Sequence, residues 1–186
     1  KNVLLTLSDP NANKSAVEIL LAEGTSAIEE EKLNAYVNEG IAIKRLSNED
    51  NWLQVTLYRK DSVDAILARL ATDFPEQITW LDVKDTQLSD KGLREVGKLK
   101  NLTRLRAEKT AVTDSGLANL EGLTYLESLN LYGTNITDAG LAHLAGLPNL
   151  RRLYAWETQV SREGVAAFME TSGNLDINLG YEVNVL

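Results

Sequence analysis

The segment Leu102-Thr-Arg-Leu105-Arg-Ala107-Glu-Lys-Thr110-Ala-Val112-Thr113-Asp114-Ser-Gly116-Leu117 returns 24 residues later as Leu126-Glu-Ser-Leu129-Asn-Leu131-Tyr-Gly-Thr134-Asn-Ile136-Thr137-Asp138-Ala-Gly140-Leu141. Extending the period both ways gives four full units, which begin at Ile78, Leu102, Leu126 and Leu150. Leu81, Leu105, Leu129 and Leu153 fall in one column, and Val83, Ala107, Leu131 and Ala155 in the next. Thr86, Thr110, Thr134 and Thr158 follow, then Leu88, Val112, Ile136 and Val160. Gly92, Gly116, Gly140 and Gly164 close the pattern, each before an aliphatic residue. A shorter fifth unit is Leu175-Asp-Ile177-Asn-Leu179-Gly180. Repetition at a fixed short period marks a structure built by stacking one supersecondary unit.

Each column has a physical reason. Side chains alternate along a strand, so the aliphatic positions of L-x-L enter one stacked core. The threonine hydroxyl can satisfy backbone groups where the chain turns off the sheet. Ser89, Thr113, Thr137 and Ser161 suit helix N-caps, and Asp90, Asp114 and Asp138 complement the helix dipole. Arg162 breaks the acidic column. A carboxylate ladder of this kind can bind calcium, but helix capping already accounts for each member. The glycines let neighbouring turns approach closely. Leu93, Leu99, Leu117, Leu120, Leu123, Leu141, Leu144, Leu147, Val165 and Phe168 form the helix face packed on the sheet.

The pattern L-x-x-L-x-[LVA]-x-x-T-x-[LVI]-[ST]-[DR]-x-G-[LV] resembles the leucine-rich repeat, and its wording resembles the ribonuclease-inhibitor-like type common in bacterial proteins. That resemblance covers residues 78–179. It implies an α/β leucine-rich-repeat solenoid, a right-handed β-α superhelix with a parallel concave sheet and convex helices. It also implies a non-catalytic interaction surface. Leu150-Arg-Arg-Leu-Tyr-Ala-Trp156-Glu-Thr-Gln-Val160 and Asn174-Leu-Asp-Ile-Asn-Leu-Gly180 are similar to the last repeat of multidomain bacterial proteins with an upstream c-type cytochrome domain. This implies an exported parent, periplasmic or at the cell envelope. The haem motif C-x-x-C-H is absent, so no haem carries over.

Residues 1–77 show no repeat and read as an N-terminal α/β capping region; residues 78–186 hold the repeats. Ser8-Asp9-Pro10-Asn11 marks a loop. Ser15-x-x-Glu18 and Ser26-x-x-Glu29 read as capping boxes opening helices near 16–23 and 27–38, ended by Gly24 and Gly40. Residues 41–46 and 52–58 alternate like strands around a polar turn at Ser47–Asn51. Asp61 caps a helix with apolar face Val63, Ile66, Leu67 and Leu70. Strand, helix and the strand at 79–83 make a βαβ unit, placing strand 52–58 parallel to the repeat strands. Glu29-Glu30-Glu31 reads as a solvated helix face.

Composition bounds the chemistry. The chain of 186 residues has no cysteine, one histidine and one methionine. That excludes disulfides, thiolate metal sites and a cysteine nucleophile. Any serine triad would need His143, which reads as an ordinary surface residue with no acid near it in sequence. An enzyme is therefore not expected, nor any cofactor or metal. The net charge of −8 disfavours nucleic acid and anionic membranes. Apolar runs are short, four residues at Ile19–Ala22 and five at Val165–Met169, so no membrane insertion is expected. The start at Lys1, without methionine or a leader, reads as a processed or cut chain.

The residues between the inward leucines face out on the concave sheet. They are Trp80, Asp82 and Lys84; Arg104, Arg106 and Glu108; Ser128, Asn130 and Tyr132; Arg152, Tyr154 and Trp156; then Asp176 and Asn178. Tyr132 and Trp156 become neighbours in one column, with Tyr154 beside them, while Arg104, Arg106 and Arg152 lie toward the other strand end. Trp, Tyr and Arg are the types enriched at binding hot spots. Trp80, Arg104, Arg106, Tyr132, Arg152, Tyr154 and Trp156 are thus the candidate contacts for a protein or peptide partner. The alternatives are a saccharide stacking on the aromatic residues, a spacer attached to a redox domain, and aromatic side chains that merely stack on one another or on the C-terminal tail.

Overall fold

The computed structural model describes residues 16–46, 51–58, 63–172 and 175–180. The Ser8–Asn11 loop, the Ser15 box, most of the Ser47–Asn51 turn and the Asp61 cap lie outside them. Helices α1 (Ala16–Glu23) and α2 (Glu30–Asn38) precede strands β1 (Ala42–Arg45) and β2 (Leu53–Thr56). Helix α3 (Val63–Asp73) leads into β3 (Ile78–Asp82). The repeats then alternate α4 (Asp90–Val96), β4 (Arg104–Arg106), α5 (Asp114–Leu117), β5 (Ser128–Asn130), α6 (Asp138–Leu141), β6 (Arg152–Tyr154), α7 (Arg162–Ser172) and β7 (Asp176–Asn178). Helices α5 and α6 each continue into a 3-10 turn, at Ala118–Leu120 and Ala142–Leu144. The return segments of the inner repeats are therefore tighter than full helices.

One seven-stranded sheet runs in sequence order. Strand β1 pairs antiparallel with β2; every later pair is parallel, as the βαβ reading expects. The constant period fixes the register. Leu81, Leu105, Leu129, Leu153 and Ile177 stand opposite one another across five strands. The first four of these leucines are fully shielded from solvent, as are Leu93, Leu117, Leu120 and Leu141 on the helical side. This is the α/β leucine-rich-repeat solenoid, with each unit returning through the right-handed crossover that parallel strands prefer. The same core takes in Leu53, Val55, Leu67, Leu70 and Phe74 from the N-terminal part.

The threonine column closes each turn. Thr86, Thr110, Thr134 and Thr158 donate their hydroxyls to the carbonyls of Val83, Ala107, Leu131 and Ala155, at 2.6–2.8 Å. One residue before each threonine the backbone turns left-handed. Asp85, Lys109 and Glu157 have φ of 51–52°, and Gly133 has 66°. Three of these four turns thus hold a side-chain-bearing residue where glycine is easier.

The acidic column does something other than cap its own helix. Asp90 accepts hydrogen bonds from the Thr113 backbone N–H at 2.9 Å and its hydroxyl at 2.7 Å, one repeat further on. Asp114 does the same for Thr137 at 2.8 and 2.6 Å, and Asp138 for Ser161 at 2.7 and 2.6 Å. Asp64 of α3 begins the series by accepting from both the backbone and the hydroxyl of Ser89. Ser89, Thr137 and Ser161 also accept a helix-start N–H, whereas Thr113 caps nothing with its side chain. Capping alone is therefore the wrong account of these acids: they join each turn to the next. The oxygens offered to a cation in the calcium alternative are already engaged.

This bridge explains the glycine column. A Cβ on Gly92, Gly116, Gly140 or Gly164 would run into Asp64, Asp90, Asp114 or Asp138 of the preceding unit. Glycine is needed there so that a neighbour's carboxylate can sit against the backbone.

The N-terminal part holds one correction. Helix α2 starts at Glu30, with Glu29 as an N-cap whose side chain makes no capping hydrogen bond, so the Ser26 box does not form. The Ser26 hydroxyl instead accepts from Nε2 of buried Gln77 at 2.9 Å. A buried amide needs that partner more than an exposed helix end does. Gly24 and Gly40 are left-handed, as expected where helices end. Tyr36 docks α2 on α3, with its hydroxyl on Asp73 at 2.6 Å and its ring edge-on to Phe74.

Candidate functional site

Strand pairing sorts the concave side chains into three rows across the sheet. The first holds Trp80, Arg104, Ser128, Arg152 and Asp176. The second holds Asp82, Arg106, Asn130, Tyr154 and Asn178. Lys84, Glu108, Tyr132 and Trp156 form the third by the same 24-residue offset. Arg106 therefore shares a row with Tyr154 and does not stand with Arg104 and Arg152 as its sequence position suggested. Counting two residues along the strand, in step with the pleat, moves it one row over.

The middle of the face is an internally paired network of one guanidinium and two carboxylates. Arg106 reaches Asp82 at 3.1 Å and Oε1 of Glu108 at 2.9 Å. Asn130 donates to the same Glu108 oxygen at 2.9 Å. Glu108, read as outward-facing from alternation, is buried. The strand has ended by Glu108, so the chain is turning and its side chain lies back under Arg106. Burial lowers the Arg106 pKa while Glu108 and Asp82 raise it; the acids prevail and hold the guanidinium charged.

The two ends of the face differ. At one end the Arg104 guanidinium lies over the Trp80 ring, 4.3 Å from its centre. Arg152 is half-buried in the same row, and its Nε is shielded from solvent without a hydrogen-bond partner. A hollow of about 430 Å³ spans this region, lined by Trp80, Asp82, Arg104, Arg106, Ser128, Asn130 and Tyr154 among others. At the other end Tyr132 and Trp156 stack with ring centres 5.1 Å apart and planes at 27°. Lys109 sits over the Tyr132 ring at 5.4 Å. Trp156 is 49% exposed, and Gly180 of the closing unit lies against its five-membered ring. The aromatic pair is thus partly used in binding the repeats to one another. The structure brings Trp80, Arg104, Arg106 and Tyr154 around one hollow, and Arg152, Tyr132 and Trp156 are not among its lining residues.

The Tyr132 hydroxyl is held above the ordinary tyrosine range, first because it hydrogen-bonds the Glu157 carboxylate. Ionisation would lose that bond and set two negative groups together. Burial raises Tyr36 as well, to about 12, so ultraviolet titration should show late-ionising tyrosines of which one moves down in Glu157→Gln. No downward movement in that variant would refute the pairing.

His143 is not isolated: its Nδ1 lies 2.7 Å from Glu121 of the preceding repeat. The two belong to consecutive 24-residue units, so proximity in sequence gave no sign of the contact. Among the described residues no helix is long and apolar enough to cross a membrane.

No family model and no curated protein sequence matches the chain. Solved structures do. An internalin (inlF) from Listeria monocytogenes str. 4b F2365 superposes with a TM-score of 0.54 at 20% identity, over 66% of this chain and 39% of that one. Internalin C2 (inlC2) from the same strain gives 0.49 at 24% identity, over 60% and 45%. The LRR ectodomain of the receptor kinase SOBIR1 from Arabidopsis thaliana gives 0.45 at 17% identity, over 83% and 93%. The chain spans less than half the length of either internalin structure. With the 24-residue columns and the strand register, the likeness to the first internalin identifies a leucine-rich-repeat fold.

Proposed function

We propose that this chain is a non-catalytic protein- or peptide-binding module that uses its concave face. In this reading residues 1–77 cap the solenoid, residues 78–186 present the face, and the whole belongs to a larger exported bacterial protein. The observation that carries it is the pair of outward rows over β3–β6, which gathers Trp80, Arg104, Arg106 and Tyr154 around one hollow. Large, stiff aromatic groups and arginines give much contact at small entropic cost. Its one histidine is engaged with Glu121 on the helical side, away from the hollow, which favours binding over catalysis. A saccharide platform has less support, because Tyr132 and Trp156 spend one ring face on each other and Trp156 also packs on Gly180.

Panning a displayed random-peptide library against the whole chain tests the reading. Selected peptides should lose about tenfold or more in affinity on Tyr154→Ala combined with Trp80→Ala. Exposed helical-side changes such as Arg94→Ala should leave them unaffected. Peptides that bind equally well to both variants would refute concave-face binding.

A further inference from the structure

The three concave arginines are not equivalent. Arg106 is neutralised within the face by Asp82 and Glu108. Among the described residues Arg104 and Arg152 make no ion pair and no side-chain hydrogen bond. Arg152 stands opposite Asp176 in register yet does not reach its carboxylate. These two unpaired guanidiniums flank Ser128 in one row, two strand spacings or roughly 10 Å apart at the backbone. In a chain of net charge −8 they form a local cationic island.

Both are prepared for an anion. Stacking on Trp80 fixes the plane of the Arg104 guanidinium and leaves its edge N–H groups free. A shielded Nε without a partner, as in Arg152, is a standing cost that an acceptor oxygen would remove. Carboxylates match this need, since they accept two parallel bonds from one guanidinium. The hollow of about 430 Å³, lined by Arg104, Trp80, Ser128 and Tyr154 and not by Arg152, is much larger than a single small anion. An extended peptide places alternate side chains on one side about 7 Å apart. That spacing lies within the reach of two long arginine side chains.

We propose that the concave face takes an acidic peptide segment, with carboxylates two residues apart on Arg104 and Arg152 and the backbone crossing Ser128. This rests on the concave-face reading above and names the chemistry of its partner. The acidic remainder of the chain would repel misplaced copies of such a segment, sharpening its register.

The test uses the whole chain and a fluorescein-labelled hexapeptide of alternating glutamate and threonine, followed by fluorescence anisotropy. Peptides with glutamine or lysine replacing glutamate serve as controls. The glutamate peptide should bind, weaken with added salt, and lose about tenfold in affinity in Arg104→Ala and in Arg152→Gln. Arg94→Ala should not change it. Thermal unfolding of each variant checks that the fold is intact. Binding no tighter than the glutamine peptide, or indifference to both arginine changes, would overturn the proposal. So would a heparin hexasaccharide that binds with this arginine dependence while the glutamate peptide does not. If library-selected peptides need Trp80 and Tyr154 but neither arginine, the acidic-segment proposal fails while the concave-face reading stands.

Discussion

Replacing Gly140 by alanine is expected to cost about 3 kcal/mol, although alanine is the better helix former by about 1 kcal/mol. Gly140 lies inside α6, so local propensity alone gives the opposite sign. The added Cβ would overlap Oδ1 of Asp114 and stand 3.0 Å from Leu117 Cδ1. Asp114 cannot swing aside freely, because its two oxygens are held by the N–H and hydroxyl of Thr137. Either the turns separate, or two bonds to a charged acceptor are lost at about 1.5–3 kcal/mol each, less what water restores. A double-mutant cycle isolates the cause. Asp114→Ala should itself destabilise by about 2 kcal/mol, but adding Gly140→Ala to it should cost almost nothing more. Urea unfolding followed by far-ultraviolet circular dichroism measures all four corners. Strictly additive effects would mean that the glycine serves some purpose other than housing the carboxylate.

The second large effect is expected at Leu129. Its side chain is fully buried at the centre of β5, between Leu105 and Leu153 of the flanking strands. Truncation to alanine removes three carbons and leaves a cavity, a change that costs about 2–5 kcal/mol in compact cores. Here the upper half of that range, about 4 kcal/mol, is expected. Parallel strands on both sides hold the neighbouring leucines at fixed spacing, so the layer cannot collapse into the gap. Ile177→Ala, in the same column but only partly buried on the last described strand, should cost about 1 kcal/mol. Comparing the two by urea unfolding tests whether the core is continuous through the middle of the stack. Equal losses at both positions would contradict it.

The columns of leucine, threonine and glycine made the sheet, its register and its core legible in the sequence, because every unit repeats the same short-range demands. The βαβ link at 52–83 was legible for the same reason: strand alternation and the helix period are local signals. The contacts that escaped are those between units. Asp114 and Thr137 are 23 residues apart, and a helix start offers an acid a sufficient local explanation. Asp64 was harder still, since it precedes the repeat and sits 25 residues from Ser89, out of step with the later pairs. Ser26 was lost to Gln77, 51 residues away. At the candidate site the sequence identified which side chains face outward from the strands. It could not show that Glu108, beyond the strand end, folds under Arg106, nor that Arg104 and Arg152 lack acidic partners, because both depend on how far side chains reach.

The aspartate bridges also have a direction. Each unit offers a carboxylate forward and presents a hydroxyl and an N–H backward, so every internal joint carries the same plug and socket. A duplicated stretch from Asp114 to Thr137 would therefore arrive with both fittings in place, as an interchangeable cassette. The concave surface could be lengthened one strand at a time in this way, bringing a second Ser128 and Asn130 into their rows while Arg104 and Arg152 move one strand farther apart. The span between those two charges is thus an adjustable dimension of the scaffold, set by how many cassettes lie between them.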